Sequence, residues 1–430
     1  MISSEALKQK LRAGSYDPRL RKLYVSDHVS RQAQRLVELV DRYEACFGAG
    51  AVALFSAPGR TELGGNHTDH QHGRVLAASV NVDMIACAAP NGTDQIQVHS
   101  DGFPDEAISI GELIPKMEEV NTTSALIRGI GAAMKARGYT IGGFNAFVMS
   151  DVLPGSGLSS SAAYETLIGQ IFNHLFCGDE LDAIEIAKIG QYAENVYFGK
   201  PCGLMDQIAT SVGSIVAVDF ADPKEPVVQE ISFPFAECGH DLCIVDVGAD
   251  HADLTHEYAA VPEEMSGAAR LLGKEVLRDV PEEVFFQNIP LIREELGDRA
   301  VLRAAHFYGD DKRARMEADA LREGDFHRFC QLSRESGRSS FEYLQNVYPS
   351  GAPQNQAISI ALMLAEWILE KKGAFRVHGG GFAGTIQAFV PNDMIQAFTA
   401  KMEEVFGTGM CHVLRIRPVG GVVLTKGEHS

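Results

Sequence analysis

The chain has 430 residues, 45% of them hydrophobic, and 38 Lys and Arg face 57 Asp and Glu for a formal net charge of −19. This is the balance of an acidic globular protein, and it excludes collagen, coiled coil and intrinsic disorder. No Lys/Arg run offsets the negative surface, so nucleic acid is not an expected partner; no apolar stretch nears the ~20 residues of a membrane helix and no signal-peptide core opens the chain, so a cytoplasmic location away from membranes is expected.

In chain order, residues 27–46 read as an amphipathic helix capped by Ser26 and Asp27, with Val29, Ala33, Leu36, Val37 and Val40 on one face. Ala51–Ser56 and 75–90 are apolar runs of strand type. Residues 159–176 carry a broad apolar helix face directly after the glycine-rich VLPGSGLSSS. A second helical run, 182–198, stops at Gly199 and Pro201, and a further helix opens near Gly203-Leu204-Met205-Asp206. Strand-like residues 214–219 lead to DPKEP at 222–226, the expected boundary between an N-terminal domain (1–221, with a helical extension) and a C-terminal domain (222–430). The second half is mostly helical from 262 to 372 and turns to strands at 376–391 and 413–424. Partly segregated helices and strands make this an α+β pattern. The eight cysteines are dispersed, without CxxC, and read as buried thiols of a reducing compartment.

Three glycine-rich segments carry the chemistry. In Pro154-Gly155-Ser156-Gly157-Leu158-Ser159-Ser160-Ser161-Ala162-Ala163, small residues open a helix, the arrangement that presents unpaired backbone N–H groups to phosphate. It is not a Walker loop, since GxxxxGK[ST] occurs nowhere. His378-Gly379-Gly380-Gly381-Phe382-Ala383-Gly384 satisfies GxGxxG, yet TIQAFV follows where a dinucleotide fingerprint needs a helix, so a turn between two strands is expected. The stretch from Gly59 to Gly73 packs Arg60, two carboxylates and three histidines between strands, a density suited to a hydroxyl-rich ligand. A metal held by His67, Asp69, His70 and His72 is the alternative, against the usual helical or multi-strand ligand spacing.

Together these segments resemble the three motifs of the GHMP kinases, and the first resembles that of galactokinases, whose usual form is GRVNLIGEHTDYNDG. Here it reads Gly59-RTELGGNHTDHQHG-Gly73. Cys202-GLMD-Gln207, His306-FYGDDK-Arg313 and Arg334-ESGRSS-Ser340 look similar as well, so the resemblance spans about residues 50 to 425. It implies a two-domain α+β GHMP kinase architecture with a ribosomal-protein-S5-like N-terminal domain and an active site in the interdomain cleft. It also implies transfer of the γ-phosphoryl of ATP to the anomeric hydroxyl of galactose, with sugar and ATP as the small-molecule partners.

Carried over by position, the resemblance makes Asp206 and Arg60 the catalytic pair. Gly155, Ser156, Gly157, Leu158, Ser159, Ser160 and Ser161 become the ATP loop, and Ser161 and Glu194 the Mg²⁺ ligands. Asn66, His67, Asp69, Gly203 and Tyr258 become sugar contacts. Phosphoryl transfer asks for charge neutralisation and in-line placement, which these residue types supply. Asn66 stands where galactokinases carry Glu, so galacturonate or another C6-modified hexose is an alternative substrate. His70 and His378 replace the usual Tyr and Thr, and either would titrate near neutral pH if solvated. A non-catalytic sugar and ATP sensor is the alternative of another class, disfavoured by the intact Asp206, Arg60 and serine loop.

Overall fold

The computed structural model of the protein describes residues 1–152, 157–248 and 254–427. Its spine is the antiparallel pair of strands Ala51–Gly64 and Arg74–Pro90. Side chains alternate across a strand, so Val52 and Leu54 pack with Leu36 and Val40 of the N-terminal helices, while Ala53, Phe55 and Ala57 join Leu167, Ile168 and Ile171 on the other side. A strand covered on both faces reads as an unbroken apolar run, which gives it no visible period. The first strand also outruns its apolar stretch: it continues past Ser56 to Gly64 and carries Arg60, Thr61 and Glu62 in buried positions. The polar stretch expected between strands therefore begins inside one. Its partners come from far along the chain, as in the 2.6 Å hydrogen bond from Gln387 Nε2 to Thr61 Oγ1.

Phe144–Ser150 pairs with the outer half of Arg74–Pro90, Gln95–Ser100 runs parallel to it, and Glu106–Ser109 forms the edge. The inner half takes Ile215–Asp219, which turns through residues 220–226 into the antiparallel Val227–Ile231. DPKEP is thus a hairpin turn of the first sheet, and the chain enters a second sheet at His240. That sheet is antiparallel throughout, in the order Ala374–Val377, Thr385–Pro391, His240–Asp246, Cys411–Leu414. Residues 378–384 form the expected turn between its first two strands.

The helix expected at 27–46 spans Ser30–Phe47, with Val29 as its uncapped N-cap; Ser26 Oγ instead accepts from the His28 amide at 3.1 Å. Two further helices, Ser4–Arg12 and Asp17–Tyr24, complete a cover over the outer face of the sheet. One charged cluster fastens it. Arg35 Nη1 meets Asp83 Oδ1 at 2.6 Å, Tyr24 Oη donates to Oδ2 at 2.8 Å, and Arg417 Nη1 reaches Oδ2 at 3.1 Å. Asp83 is fully buried, and burial alone would raise its pKa; the two guanidinium groups and the hydrogen bonds outweigh that and hold it below the ordinary carboxylate range. Among the described residues no helix is long and apolar enough to cross a membrane.

Candidate active site

Arg60 and Asp206 meet in a bidentate ion pair: Nε lies 2.6 Å from Oδ1 and Nη2 2.7 Å from Oδ2. Arg60 follows a register shift in its strand between Pro58 and Arg60, and Asp206 is the second residue of the helix Met205–Val212. Asp206 does not cap that helix. Leu204 is the N-cap, and both Asp206 oxygens face the pair, with Ser159 Oγ donating to Oδ2 at 2.6 Å. Burial pushes the Asp206 carboxyl up, but the Arg60 charge and the hydrogen bonds from Arg60 and Ser159 prevail and hold it below the ordinary aspartate range. Ser159, at φ 57°, stands in the left-handed region just before the helix Ser160–Phe176, which turns its hydroxyl away from the helix amides and toward Asp206.

This pair opens onto a cavity of about 350 Å³, walled by Gly157, Ser159–Ser161 and Lys200 on one side and by Tyr258 and the 378–385 turn on the other. Glycines on these walls fit directly against neighbouring side chains. A Cβ on Gly157 would lie 2.6 Å from Thr385 Oγ1, and one on Gly380 would lie 2.5 Å from the Tyr258 ring, so neither position admits a larger residue without a shift. Gly155 and Ser156 lie outside the described residues. Leu158 is buried, and its carbonyl accepts from the Arg60 amide at 3.0 Å, joining the serine loop to the strand.

His67 also holds a left-handed conformation, φ 61°, and its Nε2–H donates to the Gly380 carbonyl at 3.1 Å. Because the partner is a carbonyl, Nε2 carries the proton and Nδ1 is a bare acceptor, buried and without a hydrogen-bond partner in the protein. Burial, and then the neighbouring His70, push the His67 pKa down to about 4. Asp69 reaches Gly203 so closely that a Cβ there would lie 2.2 Å from Asp69 Oδ2. Tyr258 Oη donates to the Gly381 carbonyl at 2.8 Å, with its ring edge-on to Phe382. His378 is buried between Thr61 and Thr385, at 3.0 Å from each hydroxyl, and burial pulls its pKa well below the ordinary value. It does not titrate near neutral pH.

Asn66 is fully buried, and its amide is occupied on every side. Nδ2 donates to Glu62 Oε1 at 3.0 Å and to the Gly379 carbonyl at 2.7 Å, while Oδ1 accepts from Asn346 Nδ2 at 2.9 Å and Ser340 Oγ at 3.3 Å. Two donors and two acceptor positions are all that the group has. Its main chain is held as well, by Asp310 Oδ2 at 2.8 Å and His306 Nε2 at 3.0 Å. Glu62 pairs with Arg376, and burial raises its carboxyl to about 7 against the lowering effect of Arg376 and Arg60. Set against the galactokinase form above, the carboxylate and the carboxamide at positions 62 and 66 have changed places.

Glu194 begins a π-turn, Glu194–Phe198, and is buried. Its Oε2 accepts from Gln207 Nε2 at 2.9 Å, and the same amide nitrogen serves Glu165 Oε2 at 3.0 Å. Burial and the nearby Glu194 push the Glu165 carboxyl well above the ordinary range. Glu194 Oε1 is buried without a hydrogen-bond partner in the protein. An unsatisfied carboxylate oxygen and a serine hydroxyl on the cavity wall, Ser161, are a donor set that fits Mg²⁺. Among the described residues no three His, Cys, Asp or Glu side chains cluster to hold a metal, so an ion there would draw its other ligands from water and phosphate. Sequence reasoning missed Glu62, Glu165 and Lys200. Gln207 stood in a quoted motif, next to Asp206, without a role.

Two family models match the chain, the N-terminal domain of the GHMP kinases over residues 124–214 and the galactokinase galactose-binding signature over residues 41–90. Among solved structures, the Lactococcus lactis galactokinase complexed with galactose matches at 24% identity with a TM-score of 0.77, covering 90% of this chain and 99% of that one. The Methanococcus jannaschii mevalonate kinase matches at 13% identity and 0.62, covering 85% and 99%. The Streptococcus pneumoniae phosphomevalonate kinase in complex with phosphomevalonate and AMPPNP matches at 11% and 0.58, covering 86% and 99%.

Proposed function

We propose, on the premise that the chain belongs to the galactokinase family of the GHMP kinases, that it phosphorylates the anomeric hydroxyl of galactose with ATP and Mg²⁺. The observation that carries this reading is the Arg60–Asp206 pair, fixed by Ser159 and open to the cavity beside the serine loop. An aspartate held this firmly as the anion is a weak base in the ground state. It orients the sugar hydroxyl and takes its proton as the new O–P bond forms and the bond from the γ-phosphorus to the bridging oxygen breaks to release ADP, while Arg60 offsets the charge on the reacting groups. His67 Nδ1 is an acceptor ready for a sugar hydroxyl, and Asp69, seated against Gly203, supplies a second. The amides at the start of Ser160–Phe176 and the hydroxyls of Ser160 and Ser161 face the phosphates. Mg²⁺ at Glu194 and Ser161 would neutralise triphosphate charge when bound. A two-domain division, with its boundary moved from residue 222 to the entry into the second sheet near His240, and the cytoplasmic location belong to the same reading, and the eight unpaired cysteines support a reducing compartment.

A C6 carboxylate is a poorer fit than the Asn66 exchange alone implies. Asn66 is occupied within the protein, and Glu62 restores the carboxylate that position 66 lost. The intact Arg60, Asp206 and serines support turnover over sensing. The test is ADP release from Mg-ATP across galactose, glucose, galactosamine, N-acetylgalactosamine, galacturonate and glucuronate, with the product located by NMR. Turnover on galactose with phosphate at C1 is expected; preference for a uronate, or silence on every sugar, would overturn the reading.

A further inference from the structure

The π-turn that carries Glu194 ends at Gly199, whose φ of 84° reverses the chain, and the amides of Gly199 and Lys200 both donate to the Glu194 carbonyl, at 3.0 and 3.2 Å. This reversal brings two side chains of opposite sign and opposite exposure together, Lys200 on the cavity wall and Glu194 buried behind it. The Glu194 side chain is 3% exposed, whereas that of Lys200 is 63% exposed and lines the cavity with Ser159–Ser161 and Asp206. Lys200 Nζ lies 3.7 Å from Glu194 Oε1, within ion-pair range but beyond a hydrogen bond. Among the described residues the ammonium makes no hydrogen bond, so its three donors are available to a ligand.

The other cation on the wall is not free. Arg60 has Nε and Nη2 on Asp206 and Nη1 on the Gly157 carbonyl, and His378 is held neutral. A nucleoside triphosphate brings several negative charges, and the chain has no Walker lysine to meet them. We infer that Lys200 binds the terminal phosphates of the nucleotide, doing from the far side of the π-turn what a loop lysine does in other phosphate sites. The inference rests on the kinase reading above and adds to it the cation that grips the transferred group. Lys200 forms no covalent bond in this role; it contributes charge and hydrogen bonds to the phosphate oxygens.

The test compares wild type, Lys200→Met and Lys200→Arg by calorimetric titration with Mg-AMPPNP, ADP, AMP and galactose, alongside kcat and KM. Lys200→Met is expected to weaken AMPPNP binding about tenfold to a hundredfold, as loss of charge-assisted hydrogen bonds implies, and to raise the KM for ATP. The loss should shrink from AMPPNP to AMP, which lacks the terminal phosphates. Galactose binding and Tm should stay near wild type, and Lys200→Arg should recover most of the affinity. AMPPNP affinity unchanged in Lys200→Met, or an equal loss for AMP, would overturn the inference. Failure of the functional reading looks different: the wild type would bind AMPPNP and phosphorylate none of the sugars, and the Lys200 comparison would still be decided in binding.

Discussion

Asn66 Nδ2 donates to Glu62 Oε1 across 3.0 Å inside a fully protein-lined pocket, so these two positions act as one hydrogen-bonded unit rather than as separate specificity residues. The unit holds one carboxyl group, Glu62, and Arg376 is its partner.

A second carboxylate in that pocket is therefore expected to be costly. Asn66→Glu places it against Glu62 with no further cation, and the loss of folding stability should be about 3–5 kcal/mol, the range for an uncompensated buried charge. The reciprocal double variant Glu62→Asn/Asn66→Glu restores one carboxylate and one amide, and should recover much of the loss in a denaturant-based double-mutant cycle. Additive losses would mean that the two side chains do not act together.

Asp206→Asn keeps the shape of the pair and removes its charge. Turnover should fall about 10²- to 10⁴-fold, the usual contribution of a positioned proton acceptor, with galactose binding by calorimetry largely retained. Because Arg60 and Ser159 hold the Asp206 pKa low, the acid limb of kcat set by this group should lie below the ordinary aspartate range. An acid limb near neutrality would assign it to another group.

His67 makes the opposite pH statement. Its folded pKa of about 4 lies below the ordinary 6.5, so the unfolded chain binds its proton first and native stability falls as pH drops from 6.5 through 4. Imidazole nitrogen shifts should show the Nε2–H tautomer at pH 7. In His67→Asn this part of the acid destabilisation should vanish. A His67 that titrates above 6 would show that its Nδ1 is solvated and not reserved for a ligand.

Arg35→Met tests the N-terminal cover. Asp83 would keep Arg417 but lose its shortest ion pair, in a fully buried setting, and a stability loss of about 3–5 kcal/mol is expected in chemical denaturation. A loss below about 1 kcal/mol, the level of a surface pair, would mean that the cover is held by apolar packing alone.

What the sequence made legible was what depends on neighbours along the chain. The apolar face after the serines, the stop at Gly199 and the turn at 378–384 all follow from local spacing. Arg60, Asp206, Ser159–Ser161 and Tyr258 were reached through motif resemblance, and the structure brings them to one cavity. What stayed hidden depends on partners far away. The strand through Arg60 and Glu62 looks like a loop until Gln387 and Arg376 arrive from more than 300 residues on. Glu62 was overlooked because position 66 was compared alone. Lys200 had no signature, because its placement comes from a π-turn and not from any spacing of charges.

Both ends of the chain add to the strand that holds Arg60: Ile2–Ser3 pairs with its start, and Val422–Val423 pairs with Phe55 and Ser56. Arg417, fully buried on Asp83, belongs to the same late segment. During synthesis, then, the strand can acquire its N-terminal cover early, but it lacks its last partner, and Asp83 on the neighbouring strand lacks one of its two guanidinium groups, until residues 417–423 have left the ribosome. The strand that carries Arg60 is thus completed by segments made long after it, and a nascent chain stalled before residue 417 would expose a carboxylate that only Arg35 answers.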